Sequence, residues 1–365
     1  MSDLKYWLAL NLIPDVGPVS AGRLLSAFGS PENIFHMSVN ELKQVKDIGD
    51  NRARNIVSFR DWEKVNKEIA KAEENNVRLI PRNDKAYPET LKRIYGAPVV
   101  LYVKGMLQES DKYAIAVVGS RTATDYGIKT AEKISYKLSS SGLTVVSGMA
   151  RGIDSASHKG ALKAGGRTVA VLGSGLDLPY PPENRKLMDE ICSSGAAISE
   201  FPFGTPPNKE NFPKRNRIIS AMSLGVIVIE AALDSGSLIT VAYALEQGRE
   251  IFAVPGNITS RNSKGTNDLI KKGAKLVESA EEVLDELRPQ IKGILREEKM
   301  KPEKLLPVLT DDEQILYSSL SSEPKHIDSI IREISIPTSR ALSILLNLEL
   351  KGVIRQLQGK HFSLN

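Results

Sequence analysis

The run Phe212-Pro213-Lys214-Arg215-Asn216-Arg217-Ile218-Ile219-Ser220, followed almost at once by Gly225-Val226-Ile227-Val228-Ile229, decides how this chain is read. The first part reads as the start of a helix. The second is a short, wholly apolar, β-branched run. A strand of that kind is buried on both faces, the mark of a parallel sheet with helices on each side. The helix start carries three cations and an asparagine. Cations there oppose the helix dipole and are a poor choice for stability alone. They make sense where an anion sits, held jointly by backbone N–H groups and guanidinium forks.

The same alternation extends to both sides. Apolar runs at 99–103, 115–118, 144–147, 168–172, 197–199, 226–230 and 251–254 predict strands. Between or after them, 125–138, 154–164, 238–247 and 280–287 predict helices, the first with Ala131, Ile134 and Leu138 as a core-facing stripe. The sheet block therefore spans 76–290. Residues 1–75 read as all helix, with two related segments, Ile13-Pro14-Asp15-Val16-Gly17 and Val45-Lys46-Asp47-Ile48-Gly49, each leading into a helix. Such a repeat resembles a helix-hairpin-helix, whose glycine turn can present N–H groups to a phosphate; a plain helical bundle is the other reading. A polar stretch marked by Pro289, Pro302 and Pro307 predicts a linker over 291–308. Residues 309–365 offer helices at 312–320, 326–333 and 338–350 and then two short strands, the pattern of a winged helix.

Composition bounds the function. The 365 residues are 41% hydrophobic and 25% charged, ordinary for globular domains, and the net charge of +5 permits a polyanionic partner without requiring one. The single cysteine, Cys192, excludes an internal disulfide and a cysteine-based zinc site. The first residues carry no long apolar stretch, and no segment reaches the roughly 18 apolar residues of a membrane span. A cytoplasmic protein is expected.

In an open parallel sheet, ligands sit at the carboxyl ends of the strands. Those ends carry small residues, hydroxyls and arginines: Gly119-Ser120-Arg121, then Gly148, Gly173-Ser174, Arg185-Lys186, and Ser235-Gly236-Ser237 after Glu230. Asp154 suits a helix N-cap at least as well as a ligand role. No dinucleotide fingerprint, phosphate loop or nucleophile elbow occurs. His158, the sole histidine of the sheet block, sits on a helix without a second candidate base nearby in sequence and is expected at the surface or in packing. The strand ends thus form a phosphate-binding floor without acid–base machinery, metal site or cofactor site.

The motifs Val118-Gly119-Ser120-Arg121, Ser147-Gly148-Met149-Ala150-Arg151-Gly152-Ile153-Asp154, Tyr180-Pro181-Pro182-Glu183-Asn184-Arg185, the 212–220 run, Ser235-Gly236-Ser237-Leu238-Ile239-Thr240 and Gly265-Thr266-Asn267 resemble, in order and spacing, those of the DNA-processing protein A family, also called Smf. The resemblance implies an extended Rossmann-like domain that binds single-stranded DNA, protects incoming DNA during natural transformation and helps load the RecA recombinase. It also implies a homodimer whose role needs no catalytic activity. It places the DNA pocket at Arg121, Asn184, Arg185 or Lys186, Arg215, Asn216 and Arg217; Gly119, Ser120 and Lys214 join them from the strand-end and helix-start readings. A dimer or RecA-facing surface is implied near Leu269 and Ile270. Two alternatives stand beside this reading. One is a nucleotide hydrolase of the lysine-decarboxylase-like type, from whose glycine loop Pro255-Gly256-Asn257 departs and for which Glu230 is the one matching acid. The other makes the winged tail a duplex-DNA regulator, although helix 338–350 carries Arg340 and then mostly apolar residues.

Overall fold

Apolar runs and amphipathic segments build one nine-stranded sheet with helices on both faces. The computed structural model describes residues 2–291, 309–321, 324–334, 336–357 and 359–364. The chain falls into two compact units, residues 1–297 and 298–365. No helix among the described residues is long and apolar enough to cross a membrane. The linker expected over 291–308 lies, beyond Ile291, outside the described residues.

The first unit opens with helices α1 (Ser2–Leu12), α2 (Pro18–Phe28), α3 (Pro31–His36), α4 (Val39–Lys43), α5 (Asp50–Val57) and α6 (Trp62–Glu74). The internal repeat is real in three dimensions. Asp15 and Asp47 both take the left-handed conformation (φ 63° and 62°), and Gly17 and Gly49 cap the following helices with near-identical extended dihedrals. Arg52 ties the two turns together, Nε donating to the Asp15 carbonyl (2.9 Å) and Nη1 to that of Asp47 (2.6 Å). This helical block does not keep a core to itself. Leu8, Leu24 and Ile56 share a buried cluster with Val100, Tyr102, Ala170 and Leu172 of the sheet. The buried Glu68 accepts the Phe203 N–H at 2.8 Å, a polar tie across the same boundary.

The sheet comprises β1 (Val77–Pro81), β2 (Val100–Gly105), β3 (Ala114–Gly119), β4 (Thr144–Ser147), β5 (Thr168–Val171), β6 (Ala196–Ser199), β7 (Gly225–Ile229), β8 (Glu250–Ala253) and β9 (Lys275–Leu276). Helix α7 (Glu89–Lys92) precedes β2; α8 (Asp125–Ser140), α9 (Ile153–Lys163), α10 (Arg185–Ser194), α11 (Asn211–Ala221) and α12 (Ser237–Glu246) connect the strands, followed by α13 (Lys264–Lys271) and α14 (Ala280–Leu287). The order is β1-β2-β6-β5-β4-β3-β7-β8-β9, with β1–β2 and β2–β6 antiparallel and the other pairings parallel. Seven of these strands match the apolar runs of the sequence. The edge strands β1 and β9 do not, because β1 is half-exposed and β9 is two residues long.

Alternation along β7 shows why its run is wholly apolar. Val226 and Val228 enter one core cluster with Ile218 and Ile219 of α11 and Val241 of α12. Ile227 and Ile229 enter the opposite one with Ala131, Ile134 and Leu138 of α8. The chain order reverses at β3: β4, β5 and β6 lie on one side, β7, β8 and β9 on the other. The ends of β3 and β7 are therefore the topological switch point, where the two connections leave on opposite faces.

The second unit contains α15 (Asp311–Ser318), β10 (Lys325–His326), α16 (Ile327–Ile334), α17 (Thr338–Leu350), β11 (Ile354–Leu357) and β12 (His361–Leu364). The strands form a small antiparallel sheet, as a winged helix requires. On α17, Arg340 pairs with Asp312, while Leu342, Leu346 and Leu350 are exposed. A helix that reads base edges displays polar side chains instead.

Candidate nucleic-acid interface

A cavity of about 680 Å3 opens at the switch point, between the carboxyl ends of β3 and β7. Its floor exists because Gly119 lacks a side chain. A Cβ there would lie 1.8 Å from the Ile229 carbonyl oxygen and 2.6 Å from Ile153. Ser120 follows and donates its N–H to the Glu230 carbonyl at 2.7 Å, locking the two strand ends together. The Glu230 carboxylate is spent on the start of α8: it accepts the Thr124 N–H at 2.8 Å and the Thr124 hydroxyl. Thr124 in turn caps α8 by accepting the Gly127 N–H. The one acid that matched a nucleotide hydrolase is thus 5% exposed and employed in helix capping.

Arg121 rises from this floor into the open. Its guanidinium carbon lies 5.0 Å from the centre of the Phe212 ring, and Phe212 packs against Tyr180 at 5.7 Å between centroids. Lys209 lines the same cavity. Neither Arg121 nor Lys209 makes an ion pair among the described residues. The other cations of the lining are matched: Arg261 pairs with Asp234 at 3.1 Å, and Arg215 faces Asp154. The cavity therefore presents two uncommitted cations beside two aromatic rings. The hydroxyls of Ser235 and Ser237, 2.8 Å apart at the start of α12, complete the opposite wall.

The helix-start cations divide three ways. Arg215 is 3% exposed and reaches under the cavity, Nη1 donating to the carbonyls of Gly148 (2.8 Å) and Val171, Nε to Asn216 Oδ1 (3.2 Å). Burial pushes its guanidinium down to about 10, against the pull of Asp154. Asp154 itself is raised by burial, although Arg215 and the Ala150 N–H oppose this. Gly148 makes room for the pair: a Cβ would meet Arg215 at 2.5 Å and Asp154 at 2.7 Å. Arg217 turns to the far side of α11, where it is paired with the buried Glu200. Lys214 is exposed on that side too, and both line a second cavity.

The structure thus brings together Gly119, Ser120, Arg121, Arg215 and Asn216 and separates Lys214 and Arg217 from them. The expectation of a single groove wall along 214–217 is corrected by helix geometry, since successive residues on a helix point about 100° apart. Asn184 is structural here, Nδ2 donating to the Met149 carbonyl and to Ser155 Oγ, both at 2.8 Å. Arg185 and Lys186 are exposed at the start of α10 and line neither cavity. Asp154 is not an N-cap: Gly152 holds that position with φ 73°, and Asp154 lies inside the first turn of α9. Of the two settings expected for His158, surface or packing, the structure has packing. The side chain is fully buried, bonded through Nδ1 to Thr168 Oγ1 at 2.7 Å, and burial pushes it down to about 3. Leu269 and Ile270 on α13 are both half-buried, Leu269 packing on the α11–α12 core cluster. Sequence reasoning passed over Lys209, Phe212 and Tyr180 as site residues. The available signal was aromatic residues interleaved with cations ahead of the helix, a pattern suited to stacked bases and phosphates.

Three family models match successive parts of the chain. Residues 78–288 match the family described as DNA recombination-mediator protein A, 300–360 match the DprA winged helix domain, and 8–60 match a SAM-like helix-hairpin-helix tandem. The protein Smf of Synechocystis is 33% identical over 99% of this chain and 98% of its own length. The X-ray structure of DNA processing protein A from Streptococcus pneumoniae superposes with a TM-score of 0.69 at 37% identity, covering 77% of this chain and 97% of that one. A structure of the Helicobacter pylori protein, described for its single-stranded DNA binding mode, gives a TM-score of 0.52 at 29% identity over 57% of this chain and 95% of its own.

Proposed function

The chain belongs to the DNA recombination-mediator protein A (DprA/Smf) family, and from that premise we propose that it binds single-stranded DNA at the switch-point cavity and acts as a recombination mediator. One observation carries the reading: Arg121 and Lys209 make no ion pair among the described residues and line the cavity with the Phe212–Tyr180 pair. Unpaired cations hold phosphates, and aromatic faces stack any base, so affinity comes with little sequence preference. Duplex bases are already stacked on one another and offer the rings no face.

Within this reading the protein does not catalyse. Glu230 is held by Thr124 and His158 is buried, so neither supports general acid–base chemistry. It protects incoming DNA and helps load the RecA recombinase during natural transformation, as a homodimer that uses α13 around Leu269 and Ile270. The helical block 1–75 and the winged tail 309–365 are accessory modules on the binding domain 76–290. The test is a competition titration of single-stranded against duplex DNA of equal length at two salt concentrations. Single strands win, and log affinity falls with log salt by about 0.7 for each phosphate neutralised. Equal competition by duplex, or release of free base from nucleoside monophosphates, overturns it.

A further inference from the structure

The second cavity, about 940 Å3, lies across α11 from the first and is built from parts of the chain far apart in sequence. Pro18 and Val19 at the start of α2, the turn at Arg93 and Tyr95, Glu200 after β6, and the end of α12 all contribute. Four cations line it, Arg93, Lys214, Arg217 and Arg249, against two acids, Glu200 and Glu246. Arg217 and Glu200 neutralise each other. Arg249 is half-buried with Arg93 as a like-charged neighbour, and both burial and that neighbour lower its pKa. Its Nη2 donates to the Ala221 carbonyl at 3.1 Å.

Arg93, Lys214 and Arg249 make no ion pair among the described residues, so three cations of the lining are open to an anionic group. Tyr243 and the 74%-exposed Tyr95 line the same cavity and offer flat faces. A simple anion uses only the cations. A nucleotide offers its phosphate to the arginines and its base to the tyrosine faces.

We propose that this cavity is a second nucleotide site, with phosphate at Arg93 and Arg249 and base against Tyr95 and Tyr243. The nucleotide is either free or a residue of a strand that has crossed the start of α11, a barrier of about 10 Å. The strand source rests on the function proposed above; the free-nucleotide source does not.

Equilibrium dialysis of dAMP against the full-length protein tests it. On an Arg121→Ala background, which disables only the switch-point cavity, dAMP still binds saturably. Adding Arg93→Glu, at an exposed position, weakens that binding by about tenfold or more, the scale of one lost charge-assisted contact. Without any substitution, dAMP protects Arg93 and Arg249 from phenylglyoxal, read by mass spectrometry, so a misfolded variant leaves the inference testable. Displacement of dAMP by single strands of about twelve nucleotides but not about four identifies the strand as the source; no displacement by either identifies the free nucleotide. The inference is overturned by no saturable binding and no protection, or by sulfate displacing dAMP as well as unlabelled dAMP does. Failure of single-strand binding that depends on Arg121 overturns the proposed function instead, and leaves the dAMP result standing.

Discussion

Replacing Arg121 with alanine isolates the phosphate contact from the fold. The guanidinium is exposed and stands over the Phe212 ring, 5.0 Å from its centre. Such an exposed cation–π contact is worth about 0.5–1 kcal/mol, so the melting temperature barely moves. In the complex, a charge-assisted hydrogen bond to phosphate contributes about 1.5–3 kcal/mol, and exposure places Arg121 at the low end. A loss of about 1.5–2 kcal/mol weakens binding roughly ten- to thirtyfold. One phosphate fewer is neutralised, so the slope of log affinity against log salt becomes shallower by about 0.7. The assay is fluorescence anisotropy of labelled single strands of two unrelated sequences across a salt series. Both sequences suffer alike, because phosphate contacts carry no sequence information. Unchanged affinity and slope, or a loss confined to one sequence, refutes the assignment of Arg121 to the phosphate.

Three other perturbations separate binding from architecture. Arg217→Ala strands Glu200 in the core without its ion-pair partner, at a cost of about 3–5 kcal/mol; the urea midpoint falls, and Glu200→Gln on that background restores part of it. An unmoved midpoint contradicts the buried pair. His158 is held down to about 3 from its ordinary 6.5, so between those values the unfolded chain binds more protons. Its contribution is complete above pH 6.5 and is lost as pH falls toward 3, about 2 kcal/mol by about pH 5. Burial raises Asp154 and Glu200, whose effect has the opposite sign, so the measurement is the difference in pH slope between wild type and His158→Gln; parallel slopes rule the account out. Truncation after Glu297 leaves a unit that folds and retains single-strand affinity, since the switch-point cavity lies wholly within it. A large loss of affinity on truncation would place binding partly in the winged tail.

Much of the architecture was legible because burial on two faces leaves little freedom of residue type. The run 225–229 had to be a central strand, and 280–287 is a helix with the bounds its pattern indicated. Edge strands escaped, since β1 needs to be apolar on one face only and β9 contributes a single pair of residues. The helical block read as separate because its sequence pattern is wholly helical, yet its core includes Tyr102 and Leu172 of the sheet. Local pattern records the face a segment buries, not what it buries it against.

The site divides in the same way. From sequence alone came the small residues, hydroxyls and arginines of the strand ends and the position of Arg121 among them. These follow from residue type at positions that an open sheet makes functional. What each cation of 214–217 does was decided only by the fold. Helical rotation sends Arg215 beneath the switch point, Arg217 to Glu200 and Lys214 to the second cavity. The partner that neutralises a charge comes from another strand end, and which strand ends are neighbours is a property of sheet order. A cation's type is written in the chain, but whether it remains free for a ligand depends on which carboxylates the tertiary structure sets beside it.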